Sequence, residues 1–537
     1  MPWSENAPAP DPGAATPATA SATVRPTCSS RTAPVFPDAA VSAAGSFRRG
    51  YRYPPTGAKV GCAPAASAPT KNPEFRYWQK GHQQVRSGRR HTGRSERHLR
   101  PDRTRQRVAP WRAAVALGVT GLFALTACGT DVDDITAGPG KGWPVAFHDA
   151  RNSGTTPVTG SRALGLDWTR PVGGPIAAPV TVGPDGQLFV TTRTDSPCTL
   201  FSFQMGTGRK RFCNPLGPSA IAAASAVDSG TNIYVGDDGG MNSFNALGQP
   251  RWRTPVAGVP VSVQFTGDSN VLSVTQSGQV DVLSRQTGER VVSTFQLLGE
   301  PDPLENPGLN RPPDGQGLED CATGGPQCPV ANVSAVDRET GRFYATVWRP
   351  GEGTAELVAL TYGDKAVRED WRAAMLTGGS ATSPALSADG STVYVGDNSG
   401  RLIAVDTADG RTAWSRDVGF PLRGSISVAD GLLVPSGDDG HLMAVRDNGD
   451  SSEIAWERKD LALRGRPVQT AGGTGYAVST LGGALTLITF DTETGGTVDS
   501  DELPGAQGTT ESISVGAEGE VVVASKIGEL FVFKPEA

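Results

Sequence analysis

The chain has 537 residues, of which 68 are Gly and 42 Pro, with only 19% charged and 7% aromatic. That is too long for one ordinary domain and too rich in Gly and Pro to be mostly helix. Residues 1–127 hold 19 Lys+Arg against 6 Asp+Glu, whereas the remainder holds 30 against 49, a net charge of −19. Such an acidic body repels polyanions, so nucleic acid is not expected as a partner.

Residues 1–107 run through Pro/Ala/Ser/Thr tracts into an Arg-rich stretch, Arg86 to Arg107, with few aliphatic residues and no lasting period. The segment cannot bury enough surface to offset its ordering entropy and is expected to be disordered, or untranslated if Val108 initiates the chain. Residues 108–127 read as a lipoprotein signal peptide. Arg112 precedes an apolar run of fifteen residues, Ala113–Ala127. At ~1.5 Å per residue the run is short of a hydrocarbon core of roughly 30 Å, as suits a secretion signal. Leu125-Thr126-Ala127-Cys128 resembles the bacterial lipobox, which implies cleavage before Cys128, lipid on its sulfur and firm anchoring through two or more acyl chains. Residues 128–160 are then a lipidated tether and lead-in, and the protein is expected on the extracytoplasmic side of a cell membrane.

Setting aside Cys28, Cys62 and Cys128 leaves four cysteines, an even number in an exported body. Cys198 and Cys213 flank the Gly206-Thr-Gly208 turn almost symmetrically and should face each other; closing that loop is worth roughly 3 kcal/mol. Cys321 and Cys328 would cinch a long loop. No Cys-x-x-Cys occurs, so zinc and haem attachment lack support.

From residue 161 to 537 short alternating strands recur, separated by Gly/Asp turns, four to each ~42 residues, the signature of propeller blades. The clearest copy runs from Ser383 to Trp414. Last-strand anchors fall at Phe212, Trp252, Val291, Trp371, Trp414, Trp456 and Val498; the wide gap before Trp371 is one blade plus an insertion, residues 299–330. After Val498 only three strands' worth of chain remains. The missing outer strand should come from Leu164–Trp168, so that an N-terminal strand closes the last blade and removes a sheet edge. The expected fold is all-β, an eight-bladed β-propeller, with seven blades the alternative.

The blade consensus resembles the quinoprotein-type (PQQ-like) β-propeller family, whose outer strand carries a Trp after an Asp-x-x-Thr-Gly turn. Asp406–Trp414 carries the pattern, Asp491–Gly495 and Ser284–Gly288 carry it in part, and the lead-in Gly142–Gly154 resembles the family's opening. The resemblance includes scaffold lipoproteins of outer-membrane assembly, and it implies structural docking roles for Trp168, Trp252, Trp371, Trp414 and Trp456. Enzymes of the family hold their quinone with a vicinal disulfide, a calcium-binding set and a stacking Trp. No adjacent Cys pair exists here, so no cofactor, PQQ included, and no metal is expected.

No His-Glu-x-x-His, Gly-x-Ser-x-Gly or phosphate loop occurs, and His148 and His441 read as packing or turn residues. Asp237-Asp238, Asp397-Asn398 and Asp438-Asp439 recur at equivalent turns, where positive φ is wanted. Two features could bind a partner. The insertion, with Glu300, Asp302, Glu305, Asp314, Glu319 and Asp320 against Arg311, should project from one mouth of the ring and suit a basic partner. Arg423 and Arg464 begin corresponding inner strands, with Glu511 at a similar place, and could line the channel mouth. The composite expectation is a monomeric, lipid-anchored scaffold with no catalytic residues, binding unidentified envelope proteins. An oxidoreductase using a quinone or sugar in the channel is the alternative.

Overall fold

A chain that alternates β-branched with small residues for five or six positions, then turns at Gly or Asp, makes short antiparallel ladders that bury both faces only by stacking. The computed structural model describes residues 141–299, 318–437 and 439–536 and shows that outcome. Eight four-stranded antiparallel sheets follow one another, each running in sequence from its inner strand outward. Blade 1 consists of Thr181–Val182, Gln187–Thr191, Leu200–Gln204 and Lys210–Asn214. Blades 2 to 7 span 226–255, 260–296, 335–376, 385–417, 426–462 and 468–502; blade 8 begins at Thr510. The middle strands are buried throughout while outer strands alternate with solvent, as Ile233–Asp237 and Pro250–Pro255 of blade 2 illustrate.

Two strands precede blade 1: β1, Thr155–Thr159, and β2, Leu164–Pro171. β2 pairs antiparallel with Glu529–Pro535, Leu164 opposite Pro535 and Trp168 opposite Val532, and so supplies the outer strand of blade 8. The ring closes as the sequence predicts, with eight blades.

Neighbouring blades dock through a repeated device. Each anchor follows a one-residue bulge in its outer strand, which turns the side chain toward the next blade. Trp168, Trp252, Trp371 and Trp456 lie against Gly208, Gly288, Gly410 and Gly495, where an added Cβ would meet the indole at 2.5–2.9 Å. Each indole N–H then donates to the carbonyl three residues before that glycine: Met205 (2.7 Å), Arg285 (3.0 Å), Thr407 (3.0 Å) and Thr492 (2.8 Å). Phe212 packs on Gly248 in the same way, without the donor. Trp414 differs, because blade 6 offers Asp447 instead; its indole donates to that carboxylate at 2.8 Å, which Tyr394 also engages at 2.5 Å.

Two of the expected anchors are off by one residue. Val291 and Val498 are exposed, at 41% and 36%. Counting four residues past the turn glycine, as for Phe212, Trp252 and Trp414, the anchors are Val292, which is buried, and Asp499, which accepts the Leu164 N–H at 3.1 Å. At Asp499 a bulge shifts the side-chain parity, and Val292 lies in a bend outside the outer strand Phe295–Gln296, so alternation alone misplaces both positions.

Both disulfides that cysteine parity suggests are formed, Cys198–Cys213 and Cys321–Cys328, with Cα separations of 5.5 and 5.1 Å. Cys128, the signal segment, residues 1–107, Asp438 and the acids Glu300, Asp302, Glu305 and Asp314 with Arg311 lie outside the described residues.

Candidate functional site: the hub and its two mouths

An inner strand of a propeller has no partner on its axial side, so its backbone groups need bonds from elsewhere. The lead-in, which the sequence sets between the tether and the propeller, supplies them. Trp143 exchanges two bonds with Val182 of blade 1, at 2.8 and 2.9 Å. Pro144, Ala150, Arg151, Ser153 and Gly154 then accept from Val227, Val336, Leu386, Val428 and Gln469, one inner strand each in blades 2, 4, 5, 6 and 7. Blade 3 joins through Gln264, whose amide donates to the Asn152 side chain at 2.8 Å. β1 finally adds in parallel to the inner strand of blade 7. The domain therefore begins near residue 142 rather than 161. The segment has no strand periodicity because it makes one bond per blade instead of a ladder.

Threading the ring in so few residues needs sharp turns. His148 and Asn152 take φ of +74° and +56° and are buried. Asn152 donates to the Val333 and Pro384 carbonyls, at 2.9 Å each, which holds blades 4 and 5 to the hub. His148 sits edge-on to Trp143, centroids 5.1 Å apart, and its Nδ1 makes no hydrogen bond. Burial lowers its pKa more than neighbouring Asp149 raises it, so the imidazole is neutral.

Phe147 occupies the axis with Ala146, Ala178, Ala224 and Val333 around it. The Arg466 guanidinium lies 5.7 Å from its ring and pairs with Glu511 at 2.7 Å, Glu511 being buried. What remains of the channel is a cavity of about 140 Å³ beside Phe147 and another of about 190 Å³ at the mouth.

That mouth is on the face bearing the inter-blade loops. The described part of the insertion lies across it rather than projecting outward. Leu318–Cys321 forms one helical turn. The Ala322 carbonyl accepts from Arg423 at 3.2 Å, and the Thr323 carbonyl from Asn398 at 2.7 Å. Gly324 packs against the Ser380 backbone so closely that a Cβ would overlap it. On sequence alone the insertion is expected to project from the mouth, because its composition gives no hint of these backbone contacts.

Of the three residues proposed for the mouth, Arg423 and Glu511 line it. Arg464 does not: it turns to the rim, donating to Asp439 at 3.0 Å and Thr480 at 3.2 Å. The channel arginine is Arg466, two residues on in the segment that leads into the inner strand of blade 7, where it meets Phe147 and Glu511. The paired acids serve their turns. Asp397 accepts from the Ser399 and Arg401 N–H groups and pairs with the Arg401 side chain; Asp237 pairs with Arg253. His441 bonds Glu457 at 2.7 Å against Phe420. Among the described residues no three His, Cys, Asp or Glu side chains come together as a metal site. Nor is any described helix long and apolar enough to cross a membrane.

A protein of Mycobacterium tuberculosis (strain ATCC 25618 / H37Rv), Rv3035, is 36% identical over 418 residues, covering 76% of this chain and 99% of its own length. The chain belongs to the Rv3035 family. Residues 330–534, blades 4 to 8, also match the family model described as outer membrane protein assembly factor BamB. Among solved structures, the Rv3035-family propeller is similar to a europium-containing methanol dehydrogenase, with TM-score 0.52 and 13% identity over 73% of this chain and 98% of that one. A quinohemoprotein alcohol dehydrogenase of Pseudomonas putida HK5 gives 0.50 and 16%, over 74% and 80%. At these identities the two structures speak for the PQQ-like β-propeller fold alone.

Proposed function

We propose that this Rv3035-family protein is a membrane-anchored, extracytoplasmic lipoprotein whose propeller binds envelope proteins as a non-enzymatic scaffold. The observation that carries the reading is the filled hub. Phe147 and the Arg466–Glu511 pair stand on the axis, and the cavities of about 140 and 190 Å³ fall below the roughly 300 Å³ at which cofactor pockets begin. A tricarboxylate quinone would also need cations; Arg466 is paired with Glu511, and Arg423 donates to the Ala322 carbonyl of the insertion. These residues do not fit such a group. The fold's remaining assets are its two faces, in keeping with the assembly factor whose family model matches blades 4 to 8.

The opposed reading is an oxidoreductase, favoured by the dehydrogenase folds. Purified protein incubated with quinone and calcium should show neither a stoichiometric chromophore nor dye-linked turnover; either would overturn the scaffold reading. Cross-linking in intact cells followed by affinity capture should return a specific envelope protein. Cys128→Ala should move the protein from the membrane to the soluble fraction, and unchanged partition would refute the lipid anchor.

A further inference from the structure

The face opposite the capped mouth carries a cavity of about 470 Å³ beside the lead-in. Its floor is apolar, with Val145, Phe265, Val336 and Leu386 all buried. His148 also lines it, 4% exposed and with Nδ1 unbonded. A second cavity of about 350 Å³ continues it past Arg151, sharing Leu386, Ala388 and Asp389. Six carboxylates border this groove: Asp149, Asp337, Glu339, Asp389, Asp430 and Asp447, against Arg151 and Arg338. Both arginines are engaged, Arg151 with the Ala388 carbonyl and Asp149, and Arg338 with the Thr266 carbonyl. Among the described residues only Asp149 of the six has a cationic partner.

We propose that this groove, running over blades 3 to 6 on the lead-in face, receives an extended basic segment of a partner protein, with a large apolar side chain seated over Val336 and Leu386 and Lys or Arg side chains against the acidic rim. The proposal rests on the scaffold reading and gives it a face and a partner chemistry. Concavity supplies the anchor site that a flat acidic surface lacks; Asp337, Asp389 and Asp447 already accept hydrogen bonds from neutral groups, but apart from Asp149 the rim carboxylates have no ion pair that a basic partner must first break. An unsatisfied imidazole on the floor is the kind of group that an indole N–H or phenolic O–H in the seated side chain would satisfy. The cavity that the described residues form at the capped mouth is about 190 Å³.

The test uses a fluorescein-labelled octapeptide of Arg and Lys with one central Trp, titrated by anisotropy at low and high salt. Ala388 is exposed and borders both cavities, so Ala388→Trp fills the groove without changing its charge. Wild-type protein should bind the peptide, and A388W should bind at least about tenfold more weakly. The double variant E339Q/D389N should weaken binding severalfold and flatten its salt dependence; it decides the matter alone if A388W lowers the melting temperature. No binding to wild type, or equal binding to A388W or to a peptide with Glu in place of the basic residues, would overturn the groove. If cross-linking captures the same envelope protein with A388W as with wild type, the groove is wrong and the scaffold reading survives. Failure to capture any partner with wild type counts against the scaffold reading itself.

Discussion

Four blade junctions are locked by a tryptophan pressed on a glycine, whereas the junction between blades 7 and 8 is held by an aspartate. At the first kind, a bulge, an indole and a left-handed glycine make one apolar contact and one hydrogen bond, repeated with the same three-residue offset. At the second, Asp499 accepts the Leu164 N–H of β2, the strand that closes the ring. Asp501 and Glu536 stand nearby, and burial first, then those two neighbouring carboxylates, Asp499 and Glu536, push the Asp501 carboxyl up to about 6. The tryptophan junctions combine packing with a single hydrogen bond. The seam has to receive a strand from the far end of the chain, and it uses polar reach to do so.

The largest break in this comparison is removal of residues up to Pro171, which deletes both the hub and the outer strand of blade 8. Such a protein should show no cooperative melting transition; a native-like transition by calorimetry would mean that the ring does not depend on closure. Next, Gly410→Ala places a Cβ 2.6 Å from Trp371 at φ +77° and should cost about 2–4 kcal/mol, read as the denaturant midpoint at constant slope. Third, Val292→Ala should cost about 1–2 kcal/mol and Val291→Ala under about 0.5, which checks the corrected anchor. The reverse order would restore the original assignment.

The smallest effect belongs to the seam. With its pKa raised from 3.8 to about 6, Asp501 contributes stability that is present below pH 4 and lost as pH rises through 6, because the folded state holds a proton that the unfolded state has released. Asp501→Asn should therefore raise the unfolding free energy above pH 7, by at most about 1 kcal/mol after solvent screening, and leave it unchanged near pH 4, read by denaturant melts at the two pH values. A gain of equal size at both pH values would remove the titration account.

The blade repeat, the closing strand and both disulfides were legible because each leaves a local mark: period-2 alternation, a Trp at fixed distance from a turn, paired cysteines. The hub was not. Residues 143–154 bond to seven different strands through single carbonyls and side chains, and that pattern has no period to detect. Nor could alternation find Asp499, where a bulge inverts parity, or Val292, which sits in a bend outside the ladder. For the candidate site, Arg423 and Glu511 were readable from equivalent positions. The choice between Arg464 and Arg466 depended on which one met Asp439 at the rim, a contact between neighbouring blades that no local signal encodes.

The order in which the lead-in meets the blades also bears on how the molecule can be assembled. Its carbonyls are claimed one after another by strands that come ever later in synthesis, and β2 must await the final ladder at Glu529–Pro535. The strand β2 is therefore the ordered segment whose ladder must wait longest, and its pairing closes a loop on the scale of the whole domain. Until the last residues are available the lead-in can bond the blades already present, but the arc stays open with an unpaired edge that is exposed to pairing with other chains.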